Sequence, residues 1–139
     1  TKLVYNSTIQ QSNYVVTLKS VSHVEFRHLT LEATSTAYPT VIDLNGGFNY
    51  NVSFIKDSII STHLTHNAMA FAIYAESFLN GPNVNLLFKN NYIYGANWSI
   101  RSRGQYPGGH SSGLQIIENE FVQFGLYSID LDNHNPLCI

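Results

Sequence analysis

The sequence predicts an all-β fold, a β-solenoid of about five coils. Two observations support this prediction. A short pattern of three apolar positions recurs along the chain, and a second short strand follows each copy. These strand modules keep their length while the connectors between them vary. Repeats of two or three short strands, here at a period of 22–34 residues, are typical of solenoids, in which each coil packs against its neighbours.

The first module of each coil has apolar residues at positions one, three and eight, with Lys2 as the one exception. Its copies are VEFRHLTL (24–31), VSFIKDSI (52–59), LLFKNNYI (86–93), LQIIENEF (114–121) and a fainter KLVYNSTI (2–9). The third positions form a column of Val4, Phe26, Phe54, Phe88 and Ile116. We therefore expect residues 1–139 to form one solenoid segment, with coils starting near residues 2, 24, 52, 86 and 114.

The second module is a strand whose inward residues alternate with outward polar residues, the period of a β-strand. Its copies are YVVTL (14–18), TVIDL (40–44), FAIYA (71–75), WSIRS (98–102) and YSIDL (127–131). The central column is Val16, Ile42, Ile73, Ile100 and Ile129. The run 68–78 contains good helix formers, but Phe71 and Ile73 fall in the repeat, which favours a strand. Trp98 shares the parity of Ile100 and is therefore predicted to lie in the core.

The turn after the first module carries a column of side-chain amides and carboxylates. Asp57, Asn91 and Asn119 occupy equivalent positions, with Ser7 in the faint copy, and Leu29 interrupts the column. Such side chains bond to neighbouring backbone and tolerate left-handed dihedral angles. Stacked amides can also form hydrogen bonds from coil to coil, so we expect a structural role here.

The outward positions of the second module are unusually rich in charge. They are Thr17, Asp43, Tyr74, Arg101 and Asp130, followed two residues later by Lys19, Asn45, Glu76, Arg103 and Asp132. Seven of these ten residues are charged, against 12% of the whole chain, so the charge is concentrated in one stripe. Coils stacked in register would place Arg101 between Tyr74 and Asp130, and Arg103 between Glu76 and Asp132.

The charged stripe has a functional and a structural interpretation. As a carbohydrate site, it would use Tyr74, Arg101 and Asp130 to bind sugar. A lyase needs a base and a cation, and a hydrolase needs two carboxyls about 5 Å or about 6.5–9.5 Å apart. The structural interpretation is a set of cross-strand ion pairs, each contributing about 0.2–1 kcal/mol. It is favoured because each arginine has an acidic or aromatic neighbour. The candidate catalytic residues are Arg101, Arg103, Asp130, Asp132, Glu76 and Asp43.

Composition argues against several classes of function. A net charge of −2 argues against nucleic-acid binding, which requires a basic face. No apolar run reaches about 18 residues, so no membrane insertion is expected. The single cysteine, Cys138, allows neither an internal disulfide nor a cysteine metal cage.

The sequence contains weak signals for metal binding. His63, His66, His110 and His134 lie in connectors, where histidines are more often solvated than bound to metal, so no metal site is predicted. Ca²⁺ between carboxylates of adjacent coils is the one cofactor alternative. The acidic segment DLDNHN (130–135) lacks the glycine and distal glutamate of an EF-hand.

The run VTLKSVSHVEFRHLTLEATSTAYPTVIDLNGG (16–47) resembles large secreted bacterial surface proteins built from right-handed parallel β-helix repeats. The segments 86–100 and 113–131 are similar to further copies, so that the resemblance covers roughly residues 14–133. It implies a pectate-lyase-like fold, a secreted or cell-surface location of the type IX cargo kind, and a place within a longer chain. The same resemblance connects the chain to polysaccharide lyases and glycoside hydrolases.

The leading functional hypothesis is therefore a noncatalytic extracellular or cell-surface structural or adhesin-type segment. A polysaccharide lyase, a glycoside hydrolase or a glycan-binding module that uses the charged stripe is the alternative. Because open coil ends promote aggregation, we expect the rest of a longer chain or neighbouring subunits to cover them. Glycans are the other expected partners.

Overall fold

The computed structural model describes residues 1–5, 13–34, 39–45, 47–62, 69–76, 81–104, 111–132 and 137–138. This part of the chain forms fifteen β-strands and contains no helix. Within it, accordingly, no helix has the length and apolar character needed to cross a bilayer.

The strands form three parallel sheets of five strands each. Sheet 1 contains β1 (Lys2–Tyr5), β4 (Thr30–Ala33), β7 (Ser58–Ser61), β10 (Tyr92–Gly95) and β13 (Glu120–Val122). Sheet 2 contains β2 (Asn13–Thr17), β5 (Pro39–Asp43), β8 (Phe71–Glu76), β11 (Trp98–Arg103) and β14 (Tyr127–Asp132). Sheet 3 contains β3 (Ser22–Arg27), β6 (Tyr50–Ile55), β9 (Val84–Lys89), β12 (Leu114–Ile117) and β15 (Leu137–Cys138).

Each strand from β1 to β12 pairs with the strand three places further along the chain, so each turn of the chain adds one strand to each sheet. This arrangement confirms the predicted parallel β-solenoid. The five strands of a sheet make four successive steps, and the solenoid therefore has about four turns. The run that contains good helix formers is the strand β8, as its place in the repeat predicted.

The predicted apolar columns are stacked along the interior. Phe26 pairs with Phe54 and Phe54 with Phe88, and their rings stack with centroids 4.6 Å and 5.6 Å apart. Ile116 continues this file beside Phe88. On sheet 2, the isoleucine column pairs in register across β5, β8, β11 and β14. Both columns belong to one hydrophobic core.

The predicted register of the faint first copy of the repeat, by contrast, is wrong. Lys2 pairs with Thr30, not with a residue at the Val24 position, and Val4 pairs with Glu32. The strand β1 therefore belongs to sheet 1 instead of sheet 3. A four-residue strand offers too few positions to fix a register by apolar pattern alone. Ser7, the predicted member of the turn column, lies outside the described residues.

The turn column is a ladder of side chains that bonds each coil to the next, and we call Asp57, Asn91 and Asn119 the turn ladder. Asp57 Oδ1 accepts from the backbone N–H of Leu29 at 2.8 Å. The N–H of Asp57 donates to Asn91 Oδ1, and the N–H of Asn91 donates to Asn119 Oδ1, both at 2.9 Å. The predicted stacking is confirmed.

The left-handed backbone of this turn lies one residue earlier than predicted. The residues with positive φ, between 54° and 57°, are His28, Lys56, Asn90 and Glu118. The ladder residues themselves therefore contribute their side chains, and their neighbours make the bend.

A second ladder joins the coils at the entrance to sheet 3. Asn49 Nδ2 donates to Asn83 Oδ1 at 2.8 Å, and the N–H of Asn83 donates to Ser111 Oγ at 3.3 Å. All three residues are buried. Each lies three positions before the first apolar column. This regularity is present in the sequence, but the three apolar positions of the repeat do not include it.

Candidate functional site

The charged stripe lies on the outer surface of sheet 2, in the predicted register. Arg101 pairs with Tyr74 on one side and with Asp130 on the other. Arg103 lies between Glu76 and Asp132 in the same way. Parallel strands bring these residues together because they lie one or three positions after the isoleucine column, which pairs in register from coil to coil. The sequence prediction for their placement is confirmed.

Four of these residues form a closed ion-pair network, which we call the charged cluster: Glu76, Arg101, Arg103 and Asp130. Arg101 Nε lies 2.9 Å from Glu76 Oε1 and 3.7 Å from Asp130 Oδ2. Arg103 Nε lies 3.7 Å from Glu76 Oε1, and its terminal nitrogen lies 3.3 Å from Asp130 Oδ2. Each arginine therefore contacts both carboxylates, and the two positive charges balance the two negative charges.

The charged cluster is partly shielded from solvent. The side chains of Arg101 and Glu76 are each 17% exposed, and that of Asp130 is 27% exposed. Ion pairs are screened less by salt when they are partly buried. The cluster is thus placed to stabilise the stacking of three consecutive coils, those that contain β8, β11 and β14.

Tyr74 contacts the cluster from the strand β8, two residues before Glu76. Its hydroxyl donates to Glu76 Oε2 at 2.7 Å. Burial is the larger cause and this hydrogen bond to Glu76 the second cause that raise the pKa of Tyr74 well above its usual range. The phenol therefore stays protonated at neutral pH, and Tyr74 serves the cluster as a hydrogen-bond donor.

The remaining two candidate acids lie apart from these contacts. Asp43 is buried in the preceding coil beside Tyr74. Burial raises its pKa, although the N–H of Asn45 donates to its Oδ1 at 3.0 Å and opposes this shift. Asp132 is exposed on the other side of Arg103. The six predicted catalytic residues therefore divide into a network of four and two separate carboxylates.

Aromatic residues adjoin the charged cluster on the same outer surface, a placement that the strict alternation of the repeat does not predict. Phe71, Trp98 and Tyr127 pair in register, and we call them the aromatic file. The rings of Phe71 and Trp98 stack with centroids 5.2 Å apart. The Arg101 guanidinium lies 5.7 Å from the Phe71 ring centroid and 5.4 Å from that of Trp98.

The prediction that Trp98 lies in the core is therefore wrong. Ser99 and Ile100 are both fully buried, as are Ala72 and Ile73 in the coil before. Two consecutive inward residues interrupt the alternation, so the residue that precedes them returns to the outer surface. The signal available in the sequence was an aromatic residue two positions before the isoleucine column in three consecutive coils.

The predictions about metal binding receive no test. His63, His66, His110 and His134 lie outside the described residues, as do residues 133–135 of the acidic segment. Within the described ranges, no group of three or more histidine, cysteine, aspartate or glutamate side chains is arranged to hold a metal ion.

Comparison of the chain with protein-family models, with curated proteins and with solved structures finds no match. The β-solenoid fold is therefore established by the parallel strand register of the chain itself. The resemblance to secreted β-helix surface proteins remains an expectation from the sequence.

Proposed function

We propose that this chain is a noncatalytic β-solenoid segment of an extracellular or cell-surface protein, with a structural or adhesin-type role. The secreted location and the kinship with pectate-lyase-like surface proteins are part of this proposal, and the sequence resemblance supports them. The single observation that carries the noncatalytic role is the charged cluster, in which the best candidate acids and arginines bond to one another.

The contacts of the cluster favour structure over catalysis. A catalytic arginine must face the developing charge of a substrate, whereas Arg101 contacts Glu76, Asp130 and two aromatic rings. Glu76 accepts from both Arg101 Nε and the Tyr74 hydroxyl. Opposite charges on neighbouring strands stabilise a sheet by about 0.2–1 kcal/mol per pair. Stabilising the contact between three coils is thus enough to explain these charged residues without a catalytic function.

A panel of polysaccharides, assayed for release of reducing and unsaturated ends, tests this proposal. We expect no turnover by the unmodified protein, and a lower unfolding midpoint for Asp130→Asn. Asp132→Asn, which removes an exposed carboxylate with the same change of charge, is the matched control and should leave the midpoint unchanged. Turnover that disappears in folded Asp130→Asn would overturn the noncatalytic role in favour of a lyase or hydrolase.

A second candidate function, glycan binding without chemistry, is favoured by the aromatic file. Tyr127 is 56% exposed at one end of the file, beside the coil that contributes Trp98 and Arg101. Exposed aromatic faces pack against the apolar faces of sugar rings, and nearby charged groups bond to sugar hydroxyls. The site would combine the file with Tyr74, Arg101 and Asp130.

Binding to the same polysaccharide panel separates this candidate from a purely structural role. If glycan binding occurs at the file, Tyr127→Ala weakens it at least tenfold, about 1.4 kcal/mol. Tyr50→Ala removes a tyrosine on sheet 3 that is 39% exposed and should leave binding unchanged. Saturable binding that both variants retain would assign the glycan to another surface.

We also propose that the outer coils contact further solenoid, either from a longer chain or from neighbouring subunits. Phe26, Ile129 and Leu131 are only partly buried, whereas Phe54 and Ile100 at equivalent inner positions are fully buried. Stacking a further coil on each end would bury these side chains and pair the open strand edges.

A further inference from the structure

The turn ladder contains one carboxylate among amides, and this carboxylate lacks a hydrogen-bond donor that the amides have. Asn91 Nδ2 donates to the carbonyl oxygen of Phe54 at 2.9 Å. Asn119 Nδ2 donates to the carbonyl oxygen of Phe88 at 2.8 Å. In each case the amide nitrogen bonds to the coil before its own. The ladder therefore needs a donor at this atom in every coil.

Asp57 has an oxygen where its neighbours have that nitrogen. Phe26 pairs with Phe54, so the carbonyl group equivalent to those of Phe54 and Phe88 is that of Phe26. Asp57 is 1% exposed, and its Oδ2 has no hydrogen-bond donor among the described residues. Its other oxygen, Oδ1, accepts from Leu29 N–H. A buried acceptor without a donor destabilises the folded state.

We propose that Asp57 is a proton-sensitive position of the solenoid, at which protonation of Oδ2 creates the missing donor to the Phe26 carbonyl oxygen. The proton comes from solvent, and no covalent bond to carbon, nitrogen or sulfur changes. In the protonated state, the turn between sheets 3 and 1 has an unbroken ladder from Phe26 to Asn119. In the ionised state, the step between the coils of Phe26 and Phe54 loses that bond.

The surroundings of Asp57 act in both directions. Burial raises the pKa of Asp57. The hydrogen bond from the Leu29 N–H, the N–H dipole of Ile55, which makes no hydrogen bond to Oδ2, and the charges of His28 and Arg27 oppose that shift. Arg27 is 48% exposed and already bonds to Glu25, which limits its influence on a buried carboxyl. The titratable or charged residues on the surrounding turns and strand ends are Arg27, His28, Glu32, Lys56, Lys89 and Tyr92.

The direction of the pH dependence follows from the raised pKa. A free aspartate has a pKa of about 3.9, and in the folded protein Asp57 keeps its proton to a higher pH. Its contribution to stability is therefore fully present below about pH 3.9 and is lost as the pH rises through the folded pKa. Other carboxylates, such as those of the charged cluster, act in the opposite direction, so the experiment must isolate Asp57.

The variant Asp57→Asn isolates it, because asparagine supplies the Nδ2 donor at every pH. Denaturant unfolding of the full chain is measured from pH 3 to pH 8 for the unmodified protein and for the variant. We expect the variant to have an unfolding equilibrium constant about tenfold smaller at neutral pH, with the difference shrinking on acidification. The exposed Asp132→Asn controls for the loss of one negative charge and should show no such convergence.

Two further measurements test whether protonation of Asp57 stabilises the turn ladder. The side-chain carboxyl carbon-13 signal of Asp57 should titrate above the range of a free aspartate. Asn91→Asp places a second carboxylate in the ladder and should produce a new loss of stability at neutral pH, which acid reverses in part because a protonated carboxyl replaces only one of the two hydrogen bonds that Asn91 Nδ2 donates. An Asp57→Asn variant that is no more stable at neutral pH, or a normal titration of Asp57, would overturn the proposal. These outcomes do not depend on the proposed extracellular function.

Discussion

The phenylalanine file inside the solenoid and the charged cluster outside it are both stacks of side chains across consecutive coils, but different forces hold them together. Inside, Phe26, Phe54 and Phe88 repeat one residue type, and each coil adds the same apolar contact. Outside, the cluster changes residue type from coil to coil and ends after three coils. The inner file therefore sets the register of the coils, and the cluster stabilises a register that already exists.

The reason lies in what a change of register would cost each stack. A slip of one residue moves a whole set of inward side chains to the outer surface, so the phenylalanine file permits a single alignment. Arginine and glutamate side chains are long and flexible, and they can re-pair after a small shift. Burial thus specifies the fold, while the ion pairs adjust its stability.

The largest expected effect tests the inner stack. Phe54→Ala should lower the free energy of unfolding by about 3–5 kcal/mol, because the side chain is fully buried and stacks on both Phe26 and Phe88. Denaturant unfolding measures the change. Phe124, which is 44% exposed, provides the control, and Phe124→Ala should cost less than about 1 kcal/mol. Equal effects of the two substitutions would show that the inner file does not dominate stability.

The same contrast explains what could be predicted from the sequence. Columns that repeat a residue type are visible as a pattern, and those of Phe54 and Ile100 were found in this way. Once the isoleucine column was aligned, the position of Arg101 between Tyr74 and Asp130 followed from strand pairing alone. The charged cluster could therefore be placed without knowledge of any side-chain contact.

The features that were missed depend on local departures from the repeat. Trp98 lies outside because Ser99 and Ile100 are consecutive buried residues, and a strict alternation cannot anticipate that bend. The ladder that includes Asn49 ends in Ser111, so its residue type changes along the column. Distances between specific atoms, such as those within the charged cluster, depend on rotamers and cannot be derived from a repeat pattern.

A smaller effect is expected for the outer stack. In a double-mutant cycle with Arg101→Gln and Glu76→Gln, the coupling energy should be about 1 kcal/mol, the upper end of the range for cross-strand pairs, because the pair is charged, hydrogen-bonded and mostly buried. Raising the salt concentration should reduce it only in part. Chemical unfolding of the four proteins measures the coupling. A coupling indistinguishable from zero would remove the cluster's proposed role in holding the coils together.

The smallest effect is expected for the pair of Glu25 and Arg27, which lie two residues apart on the strand β3 of sheet 3. Its Nε–Oε1 distance is 2.9 Å, as in the Arg101–Glu76 pair, but the two side chains are 49% and 48% exposed. The hydrogen bond from Arg27 lowers the pKa of Glu25, so any stabilisation is present above the unfolded pKa and lost on acidification.

Water and salt screen that exposed pair, so the cycle of Glu25→Gln and Arg27→Gln should give no measurable coupling at neutral pH. The two pairs have the same atoms at the same distance, but they differ in burial, and the Arg101–Glu76 pair joins two coils whereas the Glu25–Arg27 pair lies within one strand. If their couplings were equal, neither burial nor the position between two coils would strengthen an ion pair on this solenoid. The charged cluster would then be a solvated surface feature, and its arginines would again be candidates for contact with a ligand.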